Sequence, residues 1–483
     1  MNHYQRAITD YFSWLEDSFG PLASQVRRSH VTSSEFARDY LANPAHRSRI
    51  QEDLPSIASR VTEFWDRQAP LLVPQLQALS GVRALYGGDI GPRAESAIFQ
   101  RSGLYFDTVV VPDPLHRICS MPSRLRIPEY YFLKYAVDQL LQKDVYLASV
   151  WPPIAFLAPQ GITSPSDETA RPLSYLASMD CVILANQLFE EHFDTYEEVK
   201  AFFGSLATAE KVIAALAQPD LLYLDSDAPR DPRSQLEGLI SRTQIDWRLV
   251  EGDASPDSAQ FILFHIFARL LQANALYSGA LDSYSHPIVD APASFHWLQW
   301  KVISNQDLLA DELAFSGPKE LALTNALLSQ HLDWLSAIGI DDLVKLRMNG
   351  RLSELRALIG HDLDKLSAVE VADASEVIKQ VDYSLSQALA RHQAEIRQLD
   401  VDFRSDLAIT APSLLLSVAA FIQPTILPLS PDWAKLVPGL VGTASLQQVI
   451  GTAITYIRQK RDFGRKPVAV LWAAKQRSSS PSR

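Results

Sequence analysis

The chain has 483 residues and a formal net charge of −12, with 47% hydrophobic and 21% charged residues. This globular composition excludes extended disorder, and the acidic balance argues against nucleic acid as a main partner, because phosphate recognition needs a basic surface. Two cysteines, Cys119 and Cys181, supply no disulfide framework and no cysteine-based zinc site, which points to a reducing, cytoplasmic setting; the N-terminal residues also lack the apolar run of a secretory signal.

The first part of the chain reads as helices. Tyr4, Ala7, Ile8, Tyr11, Phe12, Leu15 and Phe19 recur at three- and four-residue steps, the spacing of one helical face, and Gly20-Pro21 is expected to end that helix. Ile57, Val61, Phe64 and Trp65 predict another amphipathic helix that stops near Pro70. From Val82 to Pro159 the pattern becomes mixed. Leu104 to Val111 reads as a strand ended by Pro112-Asp113-Pro114, Glu129 to Lys143 as a helix opened by Pro128, and Val145 to Val150 as a second strand halted by Trp151-Pro152-Pro153. Strand, helix, strand is compatible with a βαβ unit. The Tyr86-Gly87-Gly88-Asp89-Ile90-Gly91 stretch lacks the spacing of a phosphate-binding or dinucleotide loop and reads as a flexible turn.

Gly161 to Arg171 is a Ser/Pro/Asp-rich linker. Helices are predicted over 175–192, 195–217, 256–281, 292–315 and 319–338. Asp373-Ala374-Ser375-Glu376 has capping-box spacing, and Ile378, Val381, Leu385, Leu389, His392, Ile396, Leu399 and Phe403 follow as one long amphipathic helix. The fold class is therefore mainly α, multi-helical, with a small mixed α/β section near residues 82–159. The expected organisation is a helical region 1–80, the α/β section 81–160, a helical domain 170–340, a C-terminal helical region 341–470 and a basic flexible tail 471–483.

The C-terminal region contains an uncharged hairpin, 407–457. No charge occurs from Leu407 to Pro431, nor, after Asp432-Trp433-Ala434-Lys435, from Leu436 to Ile457; Arg458, Lys460 and Arg461 follow at once. The segment from Arg458 onward carries a net charge of about +7. A span needs about 20 apolar residues, but Pro424 and Pro428 interrupt the first arm, and Thr443, Gln447, Gln448 and Thr452 make the second polar. A hairpin buried in the body or against a partner is the expected state, with conditional contact to an anionic membrane as the alternative.

Four constellations carry candidate chemistry. Leu222-Tyr-Leu-Asp-Ser-Asp227 reads as a short strand ending in two carboxylates, which can hold a divalent metal against a phosphate. It resembles the Asp-x-Asp element of metal-dependent nucleotide-sugar glycosyltransferases; the resemblance spans these six residues and implies that Asp225 and Asp227 bind the metal and the sugar-nucleotide phosphates. A polar turn, Ala228 to Pro232, is the competing reading. Asp282, His286, Asp290 and His296 supply imidazoles and carboxylates suited to zinc, iron or manganese in a connection between helices, where the competing roles are turn and core. His361-Asp362 resembles the adjacent pair of metal-dependent HD phosphohydrolases, with His331 and Asp382 as nominees for the remaining places. Asp107 and Asp113 flank the best strand, as in metal-dependent nuclease sites, or as an exposed strand position and a turn carboxylate. Cys181 reads as a buried small residue.

The leading expectation is a non-enzymatic interaction or effector protein whose C-terminal apolar hairpin meets a protein partner, a second copy or a membrane, with no cofactor. The competing expectation is a metal-dependent enzyme of glycosyltransferase, phosphohydrolase or nuclease type, using a divalent metal.

Overall fold

Long N-terminal helices form one flank of a small parallel sheet. In the computed structural model the described residues are 2–87, 90–120, 129–159, 173–226, 228–242, 258–304, 327, 330–360, 374–410, 455, 458–459 and 466–479. Helix α1 (His3–Ser29) opens with a capping box, in which the Asn2 side chain accepts from the Gln5 amide at 2.8 Å and the Gln5 side chain accepts from the Asn2 amide at 3.2 Å. Helices α2 (Ser33–Ala42) and α3 (Pro44–Gln77) follow. The expected stops at Gly20-Pro21 and Pro70 do not occur: α1 runs through Pro21, and α3 runs through Pro55, Pro70 and Pro74. All four prolines lie away from the buried stripes, so the carbonyl that each leaves without an N–H does not face the core, and the apolar face of each helix is uninterrupted.

The sheet contains β1 (Arg83–Tyr86), β2 (Thr108–Pro112), β3 (Ala155–Ala158) and β4 (His286–Ile288), with α4 (Ile98–Ser102), α5 (Pro114–Cys119), α6 (Glu129–Leu141) and α7 (Lys143–Tyr146) between the first three strands. Every pairing is parallel and the order is β3-β2-β1-β4, with Ala84 opposite Val109, Val110 opposite Phe156 and Leu85 opposite Pro287. Val109 to Val111 and Ala155 to Leu157 are buried throughout, the continuous apolar reading of strands covered on both faces. Tyr4 covers the β3 edge: its hydroxyl donates to the Ala155 carbonyl at 3.0 Å and accepts from the Leu157 amide at 2.9 Å.

Two expected strands shift. Leu104 to Phe106 forms a turn after α4, so β2 starts at Thr108. The segment expected as a strand at Val145 to Val150 begins as α7, and the strand comes later, at Ala155. Its apolar residues pack inward from a helical turn, where Val145 and Tyr146 are buried.

Helices α8 (Leu173–Leu188), α9 (Tyr196–Leu206), α10 (Ala209–Ala215), α11 (Pro232–Arg242), α12 (Ala259–Asp282) and α13 (Pro292–Ser304) surround a second apolar cluster built on Phe203, Ile262, Leu270 and Trp297. The helix expected over 195–217 is two helices, broken at Ala207, whose φ of 63° is left-handed. The α12 helix is long and apolar enough to cross a membrane, but it carries Arg269, and half of its most apolar window is buried against neighbouring helices. A 3₁₀ segment (Gln330–Ala337), α14 (Ile340–Met348), α15 (Leu352–Gly360), α16 (Ala374–Thr410) and α17 (Pro467–Ser479) make up the C-terminal unit. The expected flexible tail from 471 is helical as far as Ser479, with Leu471 and Ala474 fully buried. Residues 411–454 of the hairpin lie outside the described residues, as do Asp227, His361, Asp362 and Asp373.

Candidate functional site

In open parallel sheets, ligands favour the crevice at the carboxyl ends of the strands, where the chain order reverses. That point here lies between β1 and β4. The Asp290 carboxylate, with its side chain 2% exposed, accepts from the Tyr86 hydroxyl at 2.8 Å and from the Arg93 amide at 3.0 Å, and the Arg93 guanidinium donates to the Asp290 carbonyl at 2.8 Å. The next amide, Ala94, donates to Asp138 of α6 at 3.3 Å, and Asp138 is also paired with the buried Lys134 at 3.2 Å. Two carboxylates from opposite sides thus hold consecutive amides of the segment that returns from β1. Glycines let this segment lie close. A Cβ on Gly87 would stand 2.5 Å from Leu276, and one on Gly91 would stand 2.7 Å from Pro114. Among the described residues, it is the chain's own Arg93 and Ala94 amides that the carboxylates at this point bind.

Next to this point, at the end of β2, Asp113 is fully buried. One oxygen accepts from the Leu115 amide at 2.9 Å and the Gln139 side chain at 2.8 Å; the other accepts from the Tyr11 hydroxyl at 2.8 Å and the Trp65 indole at 2.5 Å. With all four lone pairs engaged, the carboxylate stays buried, and among the described residues no cation is in direct contact with it. It caps α5 and joins α1, α3 and α6. Burial pushes the neighbouring Cys119 thiol up to about 12, with the Asp113 charge adding to the shift, and burial lowers the His116 pKa against the pull of the same charge.

The candidates in the β4 connection are separated. Asp282 ends α12, where partial burial raises its pKa; His286 starts β4, with its ring 5.7 Å from that of Phe106; and Asp290 lies beyond the other end of the strand. At the rise of a strand, His286 and Asp290 are about 13 Å apart along the chain. His296, on α13, is engaged elsewhere. Its Nε2 donates to the Leu221 carbonyl at 3.0 Å, and burial holds its pKa down, in keeping with a neutral ring.

The Asp225 segment does meet α13. After a 3₁₀ turn (Pro219–Leu221), residues 222–225 pair with no described strand, in place of the expected one. The Ser226 hydroxyl accepts from the Ala293 amide at 2.9 Å, and the Trp297 indole donates to the Tyr223 carbonyl at 2.6 Å. Asp225 is buried, and its backbone exchanges hydrogen bonds with Gln235 at 2.7 and 2.9 Å. His296 and Asp225 are thus brought into one neighbourhood, where the His296 ring anchors the Leu221 carbonyl and the Gln235 side chain anchors the Asp225 backbone. Among the described residues, no three or more His, Cys, Asp or Glu side chains converge closely enough to hold a metal ion. Asp382 lies on α16 and His331 in the 3₁₀ segment.

A third polar cluster is absent from the sequence-based candidates. Lys301 of α13 donates to both oxygens of Asp180 on α8, at 2.9 and 2.8 Å, and Asn274 of α12 donates to the same carboxylate at 2.7 Å. All three are buried. A signal was present: Asp180 and Lys301, like Lys134 and Asp138, are charges inside otherwise apolar helical runs, which requires a buried partner. Comparison of the chain with family models, with curated proteins and with solved structures finds no match.

Proposed function

We propose that this chain is a non-enzymatic interaction or effector protein, acting in the cytoplasm, whose uncharged C-terminal arms contact a protein partner or, conditionally, an anionic membrane. The observation that carries this reading is the way α16 leads to the arms. Among its described side chains the buried positions, Val381, Ser384, Leu385, Ala388, Leu389 and His392, lie in its first half, whereas the helix continues to Thr410. From His392 to Thr410 it advances about 27 Å. Along that stretch Arg397, Gln398, Val401 and Asp402 are exposed, while Ile396 and Leu399 are half-buried. A helix with this exposed stretch beyond its buried positions is suited to serve as a mount, and the segment joined to its carboxyl end is the first charge-free arm.

Full-length protein and the variant Leu416→Glu/Leu446→Glu, which places one charge in each arm, distinguish the outcomes. Flotation with phosphatidylserine-containing vesicles and light scattering for self-association are the readouts. The reading requires at least one of them to fall about tenfold in the variant, as expected for a charge moved into an apolar contact. Wild-type and variant chains that remain monomeric and vesicle-free across pH and salt overturn it.

A further inference from the structure

At the amino end of β2, arginines of the C-terminal unit take three successive carbonyls. Arg356 of α15 donates to the Tyr105 carbonyl. Arg347 of α14 donates to the Phe106 carbonyl at 3.0 Å and to the Asp107 carbonyl, and reaches the Pro152 carbonyl at 3.5 Å. The Asp107 carboxylate completes the joint: one oxygen lies 2.6 Å from the Arg356 guanidinium and the other accepts from the Val82 amide at 2.7 Å, at the start of β1. Asp107, considered from the sequence as a site carboxylate, therefore bridges the sheet and the C-terminal unit. Alongside it, the buried Arg101 of α4 is paired with Asp333 of the 3₁₀ segment, and a Cβ on Gly103 would come 3.1 Å from Leu343.

The unit's described helices otherwise pack mainly on one another: α17 lies against the 3₁₀ segment, α16 and α15, and α15 lies against α16. Of the body's described elements, α4 lies most extensively against the unit, on its 3₁₀ segment, and Leu332, Leu335, Ile338 and Leu343 continue the body's apolar core into the unit. The composition of this joint decides how it behaves. The joint is mixed: the shared apolar core opposes opening, whereas its polar half returns two guanidinium groups to water on opening, and their hydration offsets part of the loss. Arg347 is sequestered deeply enough that burial lowers its pKa to about 10.

We propose that Arg347 and Arg356 form a releasable latch on residues 105–107, holding the C-terminal helical unit on the α/β body. Its regulatory role rests on the arms acting as the contact element; the latch itself does not. Hydrogen exchange on the full chain tests it, comparing wild type with Arg347→Met/Arg356→Met. At least tenfold faster exchange over 340–360 and 374–402, with β1 and β2 unchanged, is the expected result. Unchanged exchange in the unit, or equal acceleration in β1 and β2, overturns the latch. Asp107→Asn, which keeps an acceptor for Val82 and removes the charge facing Arg356, gives the same reading if the double variant does not fold. Flotation of the same proteins with phosphatidylserine vesicles separates the two ideas. A freed unit without vesicle binding leaves the latch standing and removes the membrane role; vesicle binding by wild type with no release in the variants does the reverse.

Discussion

The indole N–H of Trp65 donates to the carboxylate of Asp113 over 2.5 Å, tying the middle of α3 to the carboxyl end of β2. Because Tyr11 and Gln139 bind the same group, one side chain sets the positions of three helices around the sheet. Asp113→Ala leaves these buried donors without an acceptor, a loss of about 4 kcal/mol in urea unfolding. Asp113→Asn is also costly, because its amide must face at least one donor, and the indole of Trp65 cannot reverse its role. A loss under about 1 kcal/mol in the alanine variant, the worth of one ordinary hydrogen bond, contradicts the hub.

The Asp180–Lys301 pair predicts a different pattern. Removing one partner strands the other charge among apolar helices, so Asp180→Ala and Lys301→Ala each cost about 3–5 kcal/mol. Asp180→Leu/Lys301→Met removes both charges and costs less than either single change, as read from a double-mutant cycle. Additive losses in the cycle rule out the pairing.

Acid stability should depend on His265. Burial, and secondarily the Arg269 charge, lowers its pKa to about 3 in the folded chain, whereas an unfolded histidine titrates near 6.5. Between these values the unfolded state binds the extra proton, so stability is present above about pH 6.5 and falls as the pH drops, with a slope approaching about 1.4 kcal/mol per pH unit. Urea midpoints at neutral pH and about two units lower measure this loss. His265→Leu makes that part of the dependence flatter; an identical decline in the variant assigns the loss to other groups.

Both thiols should be slow to react. Burial raises the Cys119 pKa to about 12 and that of Cys181 further, so neither is a thiolate at neutral pH. Iodoacetamide at mildly alkaline pH is expected to modify the folded chain at least about a hundredfold more slowly than the urea-unfolded chain. Rapid labelling of Cys119 in the folded chain contradicts its placement beside Asp113.

The helical framework was legible in the sequence because periodicity reports burial directly. Tyr4, Ile8, Tyr11, Phe12, Leu15 and Phe19, picked for spacing alone, are all buried on α1. The prolines misled because their cost depends on the direction each faces, and residue identity does not encode this. Strand β4 was not legible: its three residues include a proline, and only an edge position beside β1 makes such a segment a strand. The candidate groups were legible as residue types and not as partners. Asp290 was named among metal ligands, yet Tyr86 and Arg93, far away in the chain, define what it does.

The late arrival of β4 has a kinetic consequence. Strands β3 and β4 are separated by about 130 residues, which include most of the second apolar cluster. At ribosomal speeds of roughly 5–20 residues per second, β1 waits on the order of ten seconds for its outer neighbour. During that interval the Arg83–Tyr86 backbone is an open template for any passing strand. The nascent chain is therefore most vulnerable to misassembly after the first three strands have emerged, and the emergence of β4, just after α12, determines when that exposure ends.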